Sequence, residues 1–284
     1  MKLFKVVFVV ALAVAMVFAV TACGTTGPET VEIGYVEWAC ASASSYLVKN
    51  IIVHELGLSA ELVALDAGVM WQSIGTGEID VMVCAWLPGT HGDYYAGVQD
   101  SVVDMGPNYE GALIGLVVPA YVDINSIEEL NEYAGNFGGE IIGIDAGAGI
   151  MAATEKAIED YDLDFTLQES SDAAMTAALS AAIDNEEWIV VTGWAPHWKF
   201  ADWDLKFLLD PEGVYGGAET INTIVREGFE TDHLAVKAFL DNYFLTEEQL
   251  GSLIGMMEEY GDPNEAAQAW IEENRATINQ WIGQ

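Results

Sequence analysis

Cys84-Ala85-Trp86-Leu87-Pro88-Gly89-Thr90-His91 follows an apolar run, residues 79–83, that reads as a buried strand. The stretch sets a Trp at the strand end, then a rigid Pro-Gly turn, then a His. Open α/β proteins place ligand contacts at such strand ends. A second device of the same kind, Gly193-Trp194-Ala195-Pro196-His197-Trp198, follows another strand-like run at 188–192. A single Trp is most often a packing residue. Two matching turns in two halves of one chain predict two lobes facing one ligand.

Working outward from the first turn, residues 30–36 read as a strand and 37–45 as a turn running into a helix. Tyr46, Leu47, Ile51, Ile52 and Leu56 form the apolar stripe of that helix, and Gly57 closes it. A strand at 60–65 and a short helix at 68–75 complete a β-α-β-α-β order, which predicts a mostly parallel sheet with helices on both faces. Residues 102–105 and 112–118 read as two strands separated by Gly106-Pro107-Asn108-Tyr109-Glu110-Gly111. Pro119 is the expected crossing point into a second lobe. That lobe repeats the order with strands at 141–144, 165–168 and 188–192 and helices at 151–161 and 171–183. A return strand is expected at 205–208. Residues 219–225 cross back, and the remainder reads as helices. Ser126 with Glu129 and Thr246 with Gln249 have capping-box spacing. The expected architecture is therefore α/β and two-lobed, with a mostly parallel helix-flanked sheet in each lobe and the ligand between them. The division is 31–118 plus 216–284 for the first lobe and 119–215 for the second.

The N-terminal 22 residues read as a secretory signal, with Lys2 and Lys5 before the apolar run 6–20. Val20-Thr21-Ala22-Cys23 resembles the lipobox of bacterial lipoproteins. The resemblance implies cleavage before Cys23, a lipid on that residue and a tether over 23–30. The expected location is extracytoplasmic, lipid-anchored to the cell membrane. Cys40 and Cys84 remain. Export permits a disulfide between them, and two separate small hydrophobes is an equal alternative. No Cys or His spacing suits a metal.

The net charge is −36, with 9 Lys plus Arg against 45 Asp plus Glu. This balance repels nucleic acid and anionic lipid, and it favours a cationic or zwitterionic ligand over a phosphate ester. Solubility, or adaptation to salt, is the favoured account of the bulk of the charge.

Asp145-Ala146-Gly147-Ala148-Gly149 follows a strand and opens a helix. It lacks the spacing of a dinucleotide or P-loop motif. The free N–H groups of such a helix start suit a carboxylate, and a tight turn without a ligand is the alternative. Trp38, Trp86 and Trp194 each fall at a strand end, where aromatic faces attract a quaternary ammonium group through the ring quadrupole. Trp71 reads as core, with lining of the cleft as the alternative; Trp188, Trp270 and Trp281 read as structural, and Trp198 and Trp203 as packing or rim residues. His91 is a donor to a carboxylate or a plain helix-start residue. As a catalytic base it lacks a recognised nucleophile arrangement, and no GxSxG occurs, so no enzyme and no cofactor is expected.

Four stretches together carry a family resemblance: Ala85-Trp86-Leu87-Pro88-Gly89-Thr90-His91, residues 106–111, Ile144-Asp145-Ala146-Gly147-Ala148-Gly149-Ile150-Met151, and Thr192-Gly193-Trp194-Ala195-Pro196-His197-Trp198. From about Glu32 onward the chain resembles the substrate-binding proteins of glycine betaine/proline betaine ABC transporters. The resemblance implies a type II periplasmic-binding-protein-like fold. It implies an aromatic box of Trp38, Trp86 and Trp194 around a trimethylammonium group. It implies a carboxylate held by the N–H groups of Gly149 and Ile150 and by His91. The implied partners are glycine betaine or a similar zwitterion and the permease of an ABC importer. A choline- or carnitine-type binding protein of the same fold, and a surface or sensory binding protein, are the alternatives.

Overall fold

The computed structural model describes residues 30–284. The expected signal segment, Cys23 and nearly all of the expected tether lie outside the described residues. The strands are β1 (Val31–Tyr35), β2 (Ala60–Ala64), β3 (Val81–Leu87), β4 (Val102–Pro119), β5 (Glu140–Ile142), β6 (Thr166–Gln168), β7 (Val191–Ala195), β8 (Leu205–Phe207) and β9 (Glu219–Arg226). They form one sheet in the order β2-β1-β3-β9-β4-β7-β5-β6, with β8 paired to β4.

This corrects the expectation of two lobes, each with its own mostly parallel sheet, in a type II binding-protein fold. Parallel pairing is confined to β1 with β2 and β3, and to β5 with β6 and β7. Between these arms, β9 runs antiparallel to β3 and β4, and β4 runs antiparallel to β7 and β8. The architecture is a single mixed sheet flanked by helices. The physical reason lies in residues 106–111. Gly106 and Gly111 adopt φ of 94°, a conformation that side chains with a Cβ rarely take. The register against β9 shifts between Asp104 and Pro107, between Pro107 and Tyr109, and between Glu110 and Ala112. The stretch that reads as a loop between two strands is thus a series of bulges within one 18-residue strand. Bulges bend and twist a strand without ending it.

Local chemistry explains most other boundaries. All seven residues of β3 are buried, as a central strand covered on both faces requires. Helix α1 (Ala39–Asn50) follows β1 and runs into one π-helical segment, Ile51–Glu55. Helix α2 (Ala67–Thr76) ends at Gly77, whose φ of 77° makes the left-handed cap. Helix α3 (Gly92–Val98) begins at His91. Helices α4 (Gly149–Asp160) and α5 (Asp172–Asp184) cover the β5–β7 arm, and Ser171 caps α5 by accepting from the Ala174 N–H. The expected capping boxes at Ser126/Glu129 and Thr246/Gln249 are both formed. Trp270 and Trp281 stack at 6.2 Å in the C-terminal helices, where they are core. Among the described residues, no helix is long and apolar enough to cross a membrane.

Candidate functional site

Trp86 is the penultimate residue of β3, Trp194 the penultimate residue of β7, and Trp38 the residue before α1. In the sheet order β1 and β7 are separated by three strands. A flat sheet would hold them roughly 19 Å apart at the usual strand spacing. Curvature brings them to one pocket, lined by all three indoles together with Cys40, Thr90, His91, Ile114, Ile144, Ala148, Gly149 and Ile150. Its empty space is about 320 Å³ including the mouth, enough for a small solute only. Each of the six residues expected from sequence to meet a ligand in the described part of the chain lies on this wall.

Three contacts between distant segments hold the walls. The Trp38 indole N–H donates to the Asp145 carboxylate at 3.1 Å. The first N–H of α1, that of Ala39, donates to Asp172 at 3.0 Å. The other oxygen of Asp172 lies 3.1 Å from His197 Nε2. The Lys199 N–H donates to His197 Nδ1, which fixes the imidazole proton on Nε2 for donation to Asp172. Burial opposes ionisation of Asp172. It is outweighed by the His197 hydrogen bond, the nearby positive charge of Lys199 and the Ala39 N–H, so its pKa falls below the ordinary carboxylate range. Burial also lowers the pKa of His197 and keeps it the neutral member of the pair.

The turn after β3 is clamped by Glu219, the first residue of β9. Its carboxylate accepts from the N–H groups of Gly89 and Thr90, the latter at 2.8 Å, and from the Thr90 hydroxyl. A buried carboxylate with three donors is fully compensated. Both Trp turns carry a cis peptide, Leu87–Pro88 and Ala195–Pro196. The clamped turn rests directly on α4: a Cβ on Gly149 would meet the Thr90 carbonyl oxygen at 1.9 Å. Tyr94 of α3 adds a hydrogen bond of 2.9 Å to the Gly147 carbonyl. The Gly149 and Ile150 N–H groups open α4 and have no intrahelical acceptor.

His91 is wholly buried. Its Nδ1 accepts the Trp86 backbone N–H at 3.0 Å, so the neutral ring carries its proton on Nε2. Trp38 stacks on this imidazole at 5.8 Å, and Trp71 meets it edge-on at 5.8 Å. Trp71 is therefore a support of the site and not part of the lining. Burial lowers the His91 pKa to about 4. Between about 4 and 6.5 the unfolded chain holds a proton on this imidazole that the folded chain rejects, so stability declines as pH falls through that window. The expected contribution lost is on the order of 3 kcal/mol. Chemical denaturation at pH 7 and pH 4.5 checks this, with His91→Gln expected to lose less stability across the interval than the wild type.

Cys40 and Cys84 are free thiols with their sulfurs 3.8 Å apart, so the two open possibilities resolve to an unbridged pair in contact. Cys84 also accepts from the Trp86 indole N–H at 3.4 Å and thereby helps orient that ring. Trp198 and Trp203 pack together at 5.3 Å on a separate groove with Asp172, outside the aromatic pocket. Sequence reasoning missed Asp145 as the Trp38 partner, Asp172, Glu219 and the buried Lys199. Each acts through a residue more than 20 positions away or through burial, and no local pattern marks it.

The lining combines aromatic side chains with the neutral His91 and the N-terminal residues of α4, and carries no charged group. Among the described residues, no cluster of His, Cys, Asp or Glu suits a metal ion. A family model described as the substrate binding domain of ABC-type glycine betaine transport systems matches residues 29–273. The crystal structure of lactococcal OpuAC, closed and complexed with glycine betaine, is similar with a TM-score of 0.85 and 39% identity, over 89% of this chain and 99% of that one. The glycine betaine, L-proline-binding protein ProX of Borrelia burgdorferi has a TM-score of 0.85 and 35% identity, over 89% and 97% of the two chains. The glycine betaine/carnitine transport binding protein GbuC of Listeria monocytogenes is 50% identical over 144 residues. That match covers 50% of this chain and 48% of GbuC, about half the length of this curated relative.

Proposed function

Because the chain belongs to the family of substrate binding domains of ABC-type glycine betaine transport systems, we propose that its aromatic pocket captures glycine betaine or a closely related quaternary-ammonium zwitterion. The chain is an extracytoplasmic binding component of transport and not an enzyme. Its partner is the permease of an ABC importer, to which the loaded protein delivers its solute. The single observation that carries the solute class is the convergence of Trp38, Trp86 and Trp194 with His91 and the N–H groups of Gly149 and Ile150 on one pocket.

The physics of the ligand supports this reading. A trimethylammonium group has no N–H to donate, so aromatic faces replace its loose hydration shell better than fixed acceptors would. The carboxylate carries no proton at neutral pH and needs donors. The Gly149 and Ile150 N–H groups and the His91 Nε2–H supply them at the helix start, where the macrodipole also favours an anion. Burying either end without partners would cost several kcal/mol, about the whole binding energy of a typical solute site. Since contacts come from both arms of the sheet, binding favours the state in which the arms are closest. The ranges 31–118 with 216–284, and 119–215, are proposed as the two flanks of the one sheet that move relative to each other. A lipid on Cys23 is proposed to hold the protein at the membrane.

Isothermal titration of the mature protein tests the proposal. Glycine betaine is expected to bind with a Kd between roughly 0.3 and 50 μM, about −6 to −9 kcal/mol. Absence of heat and of any Trp fluorescence change with glycine betaine, proline betaine and carnitine would overturn it.

A further inference from the structure

Behind the pocket lies a charge that the binding scheme above does not use. Lys199 follows the second Trp turn and is wholly buried, and its ammonium has no hydrogen-bond partner among the described residues. Nζ sits 4.1 Å from the centroid of the Trp194 ring and 5.9 Å from that of Phe200. Lys199 is not a lining residue, whereas Trp194 is. One indole thus both holds an internal cation at its ring and forms part of the pocket wall.

We propose that Lys199 is a specificity-determining residue whose ammonium, held against Trp194, penalises a ligand that is a net cation more than it penalises a zwitterion. The inference rests on the functional reading above and deepens it. Two cations on one ring compete for the same quadrupole and repel each other across it. Choline bears that repulsion in full. Glycine betaine carries a carboxylate within a few ångströms of its ammonium group, and the attraction of that carboxylate to Lys199 returns part of the loss. The repulsion is strong because the space between is protein and not water.

The groups facing Lys199 do not cancel its charge. Asp172 of α5 attracts it, but the carboxylate is committed to His197 and to the Ala39 N–H and forms no ion pair with Nζ within 4.0 Å. His197 is neutral, and Cys40 of α1 is held in its thiol form by its contact with Cys84 and by burial. Burial lowers the Lys199 pKa to about 8, opposed by Asp172 and Cys40. The ammonium form therefore dominates at neutral pH and gives way above it.

Titration of wild type, Lys199→Met and Lys199→Arg with choline and with glycine betaine at pH 7 tests the inference. Lys199→Met is expected to tighten choline by about tenfold and glycine betaine by less than about threefold, while Lys199→Arg keeps the wild-type ratio. Raising the wild type from pH 7 to pH 9 is expected to shift the ratio the same way without any substitution, and Lys199→Met to remove that dependence. Glycine betaine binding with a choline ratio unchanged in both arms would overturn the inference alone. Failure of the wild type to bind either ligand would overturn the functional reading and the inference with it.

Discussion

Trp194→Ala and Trp86→Ala are each expected to weaken glycine betaine binding by about 100- to 1,000-fold. Each indole is buried in the pocket wall and lines the small space within it. A desolvated cation–π contact contributes roughly 2 kcal/mol, and the apolar contact area lost with the ring adds about 1–2 kcal/mol. Together these correspond to about two to three decades in Kd. The two residues differ in what else they lose. Among the described residues Trp194 has no hydrogen-bond partner for its indole N–H, so Trp194→Phe removes no hydrogen bond, only ring size and part of the ring quadrupole, and is expected to cost about tenfold or less. Trp86 donates its indole N–H to Cys84, so Trp86→Phe also frees that ring to turn and is expected to cost more than Trp194→Phe. Calorimetric Kd values for the four variants check both points. An alanine effect below threefold at either position would remove that ring from the site.

Gly149→Ala is expected to abolish measurable binding while the chain still folds. The new Cβ would lie 1.9 Å from the Thr90 carbonyl oxygen and 2.8 Å from the Thr90 carbonyl carbon and Cγ2. Backbone atoms at that separation have to part by more than about 1 Å, and Glu219 anchors the turn so that it cannot yield cheaply. Moving α4 away displaces the two N–H groups proposed for the ligand carboxylate. It also strains the Trp38–Asp145 and Tyr94–Gly147 hydrogen bonds. A loss of about 1–3 kcal/mol in stability is expected, roughly 2–10 °C in Tm for a chain of this size. Gly92→Ala is the matched control, because nothing lies within 4 Å of a Cβ built there, at the start of another helix. It is expected to leave both Tm and Kd near the wild-type values. Circular dichroism melts with titration calorimetry on the three proteins separate a local clash from general unfolding.

The site was more legible in the sequence than the sheet. The two Trp turns could be read because strand, aromatic and Pro-Gly turn lie within a few residues of each other. The Gly-rich turn before α4 could be read as a helix start with free N–H groups, whereas Gly149 and Ile150 themselves were implied only by the family resemblance. The mixed sheet could not be read from residues 102–119. A Gly-Pro cluster that bulges a strand and one that ends it have the same composition, and only pairing with β9 distinguishes them. The same holds for the supports of the pocket. Asp145 and Trp38 are 107 positions apart, Asp172 and Ala39 133, and Glu219 and Thr90 129.

By itself the sequence marked local features of this protein: the two Trp turns, the Gly-rich helix start, and a His that follows a Trp across a Pro-Gly turn. These are properties of short stretches, set by side-chain type and local backbone preference. Tertiary structure alone decided that the sheet is single and curved, that Lys199 is buried against Trp194, and that three indoles, from the start of α1, from β3 and from β7, share one small pocket. Those outcomes depend on which distant strands and helices meet, and the energy that selects them comes from burial and long-range hydrogen bonds that no local window contains.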